Sequence, residues 1–287
     1  ADGGELSVGT DAQGRFSFAT GCSSGLVVLG GASADTGLPF TGRLLTPAGA
    51  AVASPLTTLV VAGDVKADEV VALARQYFGR LPPRALPERK PQIEPAQVGS
   101  KRIVVKAPAQ LPYLLMAWHV PTLKDWQQDS EPYALQILAG VLSGNDSARL
   151  QKSLVKTQQI AVNVSAGYDA VSRGPGLFMV DASPAPGKSV AALEQAVRAE
   201  LKRVQQKGIS EAELARVKAQ VIAADVYQRD SLFYQAMQLG EYVTAGLPPE
   251  ALARRVDKLR AVTAKEVQAV AQQWLQNDRL SVAELEP

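Results

Sequence analysis

The stretch "VLSGNDSARLQKSLVKTQQIAV", Val141 to Val162, decides the fold because it holds a polar loop between two helix patterns and then the start of a strand. The loop contains one glycine, Gly144, and lacks the Lys-Ser/Thr of a phosphate-binding loop. It also lacks the Gly-x-Ser-x-Gly of a hydrolase nucleophile elbow. Helix capping by Asp146 or Ser147 accounts for its polarity, so we predict a capped helix rather than a nucleotide or nucleophile site.

Strand and helix patterns extend from this stretch in both directions. Before it, "KRIVVKA" and "PYLLMAWHV" predict strands, and the second is apolar enough to be buried on both faces. Ser130–Leu142 and Ser147–Val155 predict helices on either side of the loop. After it, "IAVNVSAGYDA" and "GLFMVDASP" predict strands. In the first of these, one face is predicted to hold Ala161, Asn163 and Ser165, and the other Val162, Val164 and Ala166.

A run of helix patterns follows these strands. Ser210 with Glu213, and Thr263 with Glu266, have the spacing of capping boxes. A strand group followed by helices and one last strand predicts an α+β domain rather than alternating βαβ units. The predicted elements are the helices "SVAALEQAVRAELKRVQQKG", "SEAELARVKAQVIAADVYQR", "SLFYQAMQLGEYVTAG", "PPEALARRVDKLR" and "AKEVQAVAQQWLQ", and the strand "RLSVAEL".

Upstream, a proline-rich segment divides the chain. Residues 1–56 form a segment of low charge that we leave unassigned, and residues 57–81 predict a strand, "TTLVVAG", followed by a helix. Residues 82–100 are rich in proline, which removes backbone donors and favours extended conformations, so they predict a linker. Residues 101–287 then form a separate domain.

Composition excludes several classes of function. The chain has 287 residues and a net charge of +2, which gives no broad electrostatic footprint for nucleic acid. Cys22 is the only cysteine, so an internal disulfide and a cysteine-rich metal site are excluded. No window is apolar enough for a transmembrane segment. The opening residues lack the basic and apolar regions of a signal peptide, so none is predicted in this sequence.

Acid-base and metal chemistry are limited by the single histidine, His119. Zinc motifs that need two histidines cannot form on this chain. Packing is the simpler interpretation of His119 and of its aromatic neighbours Trp118, Trp126 and Tyr133. Charged residues on the long helices recur at three- and four-residue spacing, which is typical of a solvated face; they are Glu194, Arg198 and Lys202. No catalytic constellation emerges from the residues.

The order of these motifs resembles that of the pitrilysin and insulinase-like zinc peptidases, which include the mitochondrial processing peptidases. The resemblance covers Thr57–Pro287 and rests on "TTLVVAGDVKADEVVALARQYFGRLP", the proline-rich linker, "PYLLMAWHVP", "YALQILAGVLSGNDSARLQKSLVKTQQIAV" and "ISEAELARVKAQVIA". It implies a mixed, mostly antiparallel sheet packed against a layer of long helices. Residues 57–81 would end a first peptidase-like domain, and residues 101–287 would be a second, non-catalytic one.

Two departures from the family pattern limit what the resemblance implies. The family's His-x-x-Glu-His motif lies well before the "VVAGDV" strand, and this sequence does not contain it. The second domain often supplies an Arg and a Tyr, seven residues apart, that contact the substrate backbone. Val155 and Val162 stand at those positions, and neither can donate a side-chain hydrogen bond. Tyr168 and Arg173 are the nearby polar candidates for substrate binding.

The resemblance therefore implies the C-terminal, non-catalytic region of a zinc metalloendopeptidase, which walls a chamber for peptides or unfolded polypeptides. Zinc would belong to the parent enzyme or to a partner, and this chain alone is predicted to be inactive. The alternative is a non-catalytic partner or scaffold subunit of a heterodimeric peptidase. The expected partners are a peptide substrate and a metal-binding first domain or a zinc-bearing subunit, with a dimer as a further option. Bacterial relatives favour the periplasm or cell envelope.

Overall fold

A computed structural model describes residues 25–32, 39–46, 59–62, 66–78 and 95–287. The strands in these ranges are β1 (Gly25–Ala32), β2 (Pro39–Thr46), β3 (Leu59–Ala62), β4 (Lys101–Lys106), β5 (Tyr113–Val120), β6 (Ala161–Tyr168), β7 (Gly176–Pro184) and β8 (Leu280–Glu286). The helices are α1 (Ala67–Phe78), α2 (Glu131–Ser143), a π-helix (Gln151–Thr157), α3 (Val190–Lys207), α4 (Glu211–Gln228), α5 (Leu232–Ala245), α6 (Pro249–Ala261), α7 (Ala264–Trp274) and a 3-10 turn (Asn277–Arg279). Among them, no helix combines the length and apolar character that membrane crossing requires.

The chain divides into two compact units, the first of which combines described residues before Pro91 with Tyr227–Leu252. β1, β2 and β3 form an antiparallel sheet in that order, and α5 packs against β2 and β3. β3 and α1 confirm the strand and helix predicted within residues 57–81. Sequence reasoning missed β1 and β2, which lie within residues 1–56. The remainder of that segment and residues 82–94 of the linker lie outside the described residues, and the domain boundaries stay predictions.

The second unit, Gln92–Val226 with Ala253–Pro287, is built on a five-stranded sheet of order β4-β8-β5-β7-β6. β4 pairs with β8 in parallel, and the other three pairings are antiparallel. Helices α2, α3 and α7 pack against strands of this sheet. This architecture confirms the predicted α+β fold, with a mixed, mostly antiparallel sheet against a layer of long helices.

Burial along β5 differs from the sequence prediction. Leu114, Met116 and Trp118 are buried, whereas the residues between them are partly exposed. The prediction that this strand is buried on both faces is therefore wrong. The physical reason is that the helices cover one face of the sheet, so that only alternate side chains reach the core. The indole of Trp118 donates a hydrogen bond of 3.1 Å to the Gln276 carbonyl, which anchors β5 near the end of α7.

On α3, Lys202 is exposed as predicted, whereas Glu194 departs from the prediction of a solvated face. The Glu194 carboxylate is 93% shielded from solvent and accepts hydrogen bonds from Arg198 at 2.6 Å and Arg102 at 2.5 Å. Arg102 also pairs with Glu284 at 3.0 Å. The buried carboxylate is thus compensated by two guanidinium groups, and the network ties the edge strand β4 to α3.

Helix caps follow the sequence signals in part. Thr263 and Glu266 form the predicted capping box, and the Ser210 hydroxyl accepts the Glu213 N–H at 3.2 Å. In the polar loop, however, the Asn145 side chain accepts the Ser147 N–H at 2.7 Å. The predicted capping by Asp146 or Ser147 is therefore wrong. The preceding helix ends at Ser143, which leaves Asn145 at the position from which its short amide reaches the backbone two residues ahead.

Candidate functional site

One face of the five-stranded sheet packs against helices; we call the opposite face the open face. A row of directly paired residues crosses all five strands on this face, and its members are Ile103, Ala283, Leu115, Asp181 and Ser165. Directly paired residues lie on the same face of a sheet, and so do residues two apart along one strand. The paired residues on either side of this row therefore also belong to the open face. The other large side chains of the open face are Lys101, Val105, Tyr113, His119, Leu177, Met179 and Leu285.

The open face is largely apolar and accessible to solvent. Ile103 is 59% exposed and Val105 47%, both on the edge strand β4, while Leu177 and Met179 on β7 are 40% and 39% exposed. Single exposed apolar residues are common, but a contiguous group on one face of a sheet marks a binding surface. This surface is the candidate functional site.

A polar group interrupts the apolar surface. The Ser165 hydroxyl donates a hydrogen bond to the Asp181 carboxylate, and the two residues are directly paired between β6 and β7. Tyr113 lies close by on β5. Partial burial and the negative charge of Asp181 raise the pKa of the Tyr113 phenol. The open face thus carries one carboxylate flanked by two hydroxyl groups.

The polar candidates predicted from the sequence lie away from this surface. Tyr168 pairs with the buried Phe178, so its ring faces the helix layer, and its hydroxyl donates to the Pro121 carbonyl at 2.6 Å. Burial, with a smaller contribution from nearby carboxylates, raises the pKa of this phenol. Arg173 is exposed in the turn between β6 and β7, and its carbonyl accepts a hydrogen bond from Lys124 at 2.7 Å. Their substrate-binding role stays a prediction.

The two degenerate clamp positions lie on consecutive elements. Val155 is half-buried in the π-helix, and Val162 is 51% exposed on the edge strand β6. A β-bulge between Ala161 and Asn163 shifts the register of β6, so that Val162 is exposed although Val164 is buried. The predicted alternation of β6 is therefore wrong at its start. A π-helix followed by a bulge is an arrangement often found at functional positions.

The histidine and the three aromatic residues singled out from the sequence differ in burial. Trp118 and Tyr133 are buried, which confirms that they pack in the core. Trp126 is half-buried, and His119 is partly exposed on β5 in register with Leu177. The described residues contain no group of three or more His, Cys, Asp or Glu side chains that could hold a metal ion. No zinc-dependent step is therefore assigned to the residues that the structure describes.

A cleft of about 300 Å³ lies near the ends of α3 and α7 and is rich in amide side chains. Gln205 donates to the carbonyls of Ala271 and Leu275, and Gln272 donates back to the Gln205 carbonyl. These amides satisfy main-chain groups at the two helix ends. The cleft is therefore explained by local structure, and the open face remains the stronger candidate site.

Sequence reasoning missed Asp181 and its neighbours. The available signal was a carboxylate within "GLFMVDASP", a strand of otherwise apolar and small residues. An acidic residue in such a strand indicates an outward position, but the pattern alone does not show which side chains lie beside it. Pairing with Ser165 and the approach of Tyr113 arise only when β5, β6 and β7 assemble.

Comparison with known proteins gives a consistent result. The family model described as the peptidase M16 inactive domain matches residues 52–221. An uncharacterized zinc protease of Mycobacterium leprae is 27% identical over 231 residues, which cover 80% of this chain and 50% of the relative. The chain thus spans about half the length of that relative.

Solved structures show the same fold. A protease from Helicobacter pylori has a TM-score of 0.73 at 21% identity and covers 80% of this chain, which in turn covers 55% of it. The peptidase M16 inactive domain from Pseudomonas fluorescens has a TM-score of 0.67 at 19% identity. The match covers 80% of this chain and 53% of the Pseudomonas fluorescens chain. At these identities the likeness establishes the architecture, with the sheet and helix layer described above.

Proposed function

This chain belongs to the peptidase M16 family, as a member matching its inactive domain, and we propose that it forms a non-catalytic wall of the peptide-binding chamber of a zinc metalloendopeptidase. The zinc ligands of the proposed enzyme would lie outside this chain, either on the same polypeptide or on a partner subunit. The Mycobacterium leprae relative is named a zinc protease and is about twice as long as the region it shares with this chain, which supports the proposal.

The observation that carries this proposal is the exposed apolar open face. Peptides and unfolded polypeptides display apolar side chains that a folded protein hides, and these lose contact with water when they lie on such a surface. Ile103 on β4 and the pair Leu177 and Met179 on β7 provide contact areas with two strands between them. A sheet face therefore suits an extended polypeptide better than a compact ligand, which requires a concave pocket.

The donor set supports a role in binding rather than catalysis. His119 is the only histidine, and hydrolytic zinc sites use several protein ligands, commonly two or three of them histidines. A chain of this composition contributes substrate contacts, while the metal and its general base act elsewhere. We expect the purified chain to bind far less than one equivalent of zinc and to leave peptides uncut.

The test is binding of a fluorescently labelled, unstructured peptide rich in apolar residues, measured by anisotropy with the purified chain. Met179→Glu places a charge on the open face and is expected to weaken binding about ten-fold. Val98→Glu is the matched control, because Val98 is 93% exposed and lies before β4, outside the sheet. Equal affinity of both variants and the unaltered chain, or no binding at all, would contradict the proposal.

Two further measurements distinguish this role from the alternative, a non-catalytic subunit in a heterodimeric peptidase. Zinc content and chelator-sensitive peptidase activity are measured for the isolated chain and for material co-purified from the source cell. A separate zinc-bearing subunit in the co-purified material would support the heterodimer. Zinc and activity on a longer form of this polypeptide would support the chamber wall of a single enzyme.

A further inference from the structure

Asp181 is the carboxylate in the middle of the apolar open face. Leu115 lies directly opposite on one side and Ser165 on the other, while Met179 precedes Asp181 by two residues on the same face. Glu284 of β8 pairs with Leu114 and Val104 and therefore lies on the helix-facing side of the sheet. A single negative charge is therefore set among apolar side chains where the proposed peptide would lie.

Hydroxyl groups compensate this charge only in part. Ser165 donates one hydrogen bond, and Tyr113 interacts with the carboxylate from β5. An ionised carboxylate has about four acceptor positions, and the hydrogen bond from Ser165 uses one of them. No Lys or Arg of the described residues forms an ion pair with Asp181. The charge on the open face consequently lacks a cationic partner among the residues that the structure describes.

We propose that Asp181, with Ser165 and Tyr113, forms a specificity subsite on the open face for the cationic side chain of a Lys or Arg in a bound peptide. This inference rests on the proposed function, because it concerns a peptide on the same surface. Charge complementarity selects the occupant: an ammonium or guanidinium group adds hydrogen bonds to a carboxylate that already accepts one from Ser165. An acidic side chain at the same position is repelled.

The apolar neighbours of Asp181 strengthen the assignment. The aliphatic stem of a Lys or Arg packs along apolar surface while its charged end reaches a polar group. Leu115 and Met179 supply such surface beside the carboxylate. Ser165 holds one carboxylate oxygen, which limits rotation of the Asp181 side chain and orients the group before a ligand arrives.

The test compares three peptides of the same apolar sequence in the anisotropy assay with the 287-residue chain. Two have blocked termini and differ in one central residue, Lys or norleucine, and the third carries norleucine with a free amino terminus. We expect the Lys peptide to bind about five-fold more tightly than its blocked norleucine counterpart. Asp181→Asn should remove this preference. Asp146→Asn, an exposed loop substitution, should keep the preference.

A second variant guards against a folding defect in the first. Ser165→Ala removes one donor and is expected to reduce the preference for Lys to about two- or three-fold, with an unchanged circular dichroism spectrum. If the Lys and blocked norleucine peptides bind equally to the unaltered chain, the subsite is overturned while the proposed function stands. If only the free amino terminus improves binding, the side-chain assignment is overturned. If no peptide binds, both proposals fail.

Discussion

Arg149 donates two hydrogen bonds to the Glu213 carboxylate, from Nε at 2.8 Å and from Nη2 at 2.6 Å. The same Nη2 donates to the Gly208 carbonyl at 3.1 Å. Arg149 follows the polar loop, whereas Glu213 lies in the first turn of α4. The arginine of "SARL" therefore joins the helix after the loop to the α3–α4 connection. This explains why Glu213, although spaced for a capping box with Ser210, directs its carboxylate to Arg149 instead.

Arg149→Lys is expected to lower the free energy of unfolding by about 1–2 kcal/mol. Lysine keeps the charge but cannot form the two-pronged contact with Glu213 while also donating to the Gly208 carbonyl. Urea unfolding followed by circular dichroism measures the effect. Arg216→Lys, at an exposed position on the same helix as Glu213, is the control and should change stability little. Equal stability of the two variants would show that the bidentate contact does not stabilise the fold.

Elements with strong local signals were predictable from the sequence. β7 spans Gly176–Pro184, the same nine residues as the predicted "GLFMVDASP", because a glycine opens an apolar segment and a proline closes it. The Thr263–Glu266 capping box was also found, since both of its hydrogen bonds form within one helical turn. Such features depend on neighbours in the chain, and the sequence contains all the information they require.

Features that depend on distant packing could not be predicted in this way. The alternation of β6 fails at Val162 because a bulge inserts one extra residue relative to β7, and no local pattern announces it. Glu194 has the spacing of a solvated position but is buried by pairing with Arg102, 92 residues away. The open face likewise forms only when the sheet assembles, because the row that includes Asp181 contains residues from five strands.

The burial of Glu194 predicts a specific pH dependence of stability. Burial alone would raise the pKa of this carboxyl, but hydrogen bonds from Arg102 and Arg198 outweigh it and hold the pKa below the ordinary value of 4.5. A carboxyl with a lowered pKa stabilises the folded state fully above the unfolded value and loses this contribution as pH falls through the folded value. Stability supplied by Glu194 should therefore be present at neutral pH and disappear in acid.

Urea unfolding of the unaltered chain and Glu194→Gln, from about pH 6 to about pH 3, tests this dependence. The substitution should lower the free energy of unfolding most at the upper end of this pH range, where it leaves Arg102 and Arg198 without their carboxylate. The gap between the two unfolding free energies should narrow below about pH 4.5. Glu211→Gln, at an exposed residue, is the control for general effects of charge. A gap for Glu194→Gln that stays constant across this range would contradict the prediction.

Tyr168→Phe is expected to lower the free energy of unfolding by about 1 kcal/mol. The substitution removes the hydrogen bond to the Pro121 carbonyl and leaves that oxygen without its side-chain donor. Thermal unfolding measures the loss, and Tyr227→Phe, at a residue 75% exposed, is the matched control. The same variant tests the substrate-binding role predicted for Tyr168. Peptide affinity unchanged from that of the unaltered chain would exclude that role, and weaker binding would support it.

Val155→Arg combined with Val162→Tyr is expected to tighten peptide binding about three- to ten-fold. The resemblance places an Arg and a Tyr at these positions, and both can donate hydrogen bonds to peptide carbonyls where valine cannot. Val162 is exposed on an edge strand, so a larger polar side chain fits there without disturbing the core. Val155 is half-buried in the π-helix, and the flexible stem of an arginine can pack there while its guanidinium reaches solvent.

Anisotropy with the blocked peptides measures the gain, and each single substitution separates the two positions. Val162→Phe is the control for added aromatic area, because it matches tyrosine in shape but lacks the hydroxyl. If Val162→Phe tightens binding as much as Val162→Tyr, the gain comes from apolar contact rather than from a restored clamp. Unchanged affinity of the double variant would mean that Val155 and Val162 do not occupy the clamp positions, and that the register drawn through "SARLQKSLVKTQQIAV" is wrong.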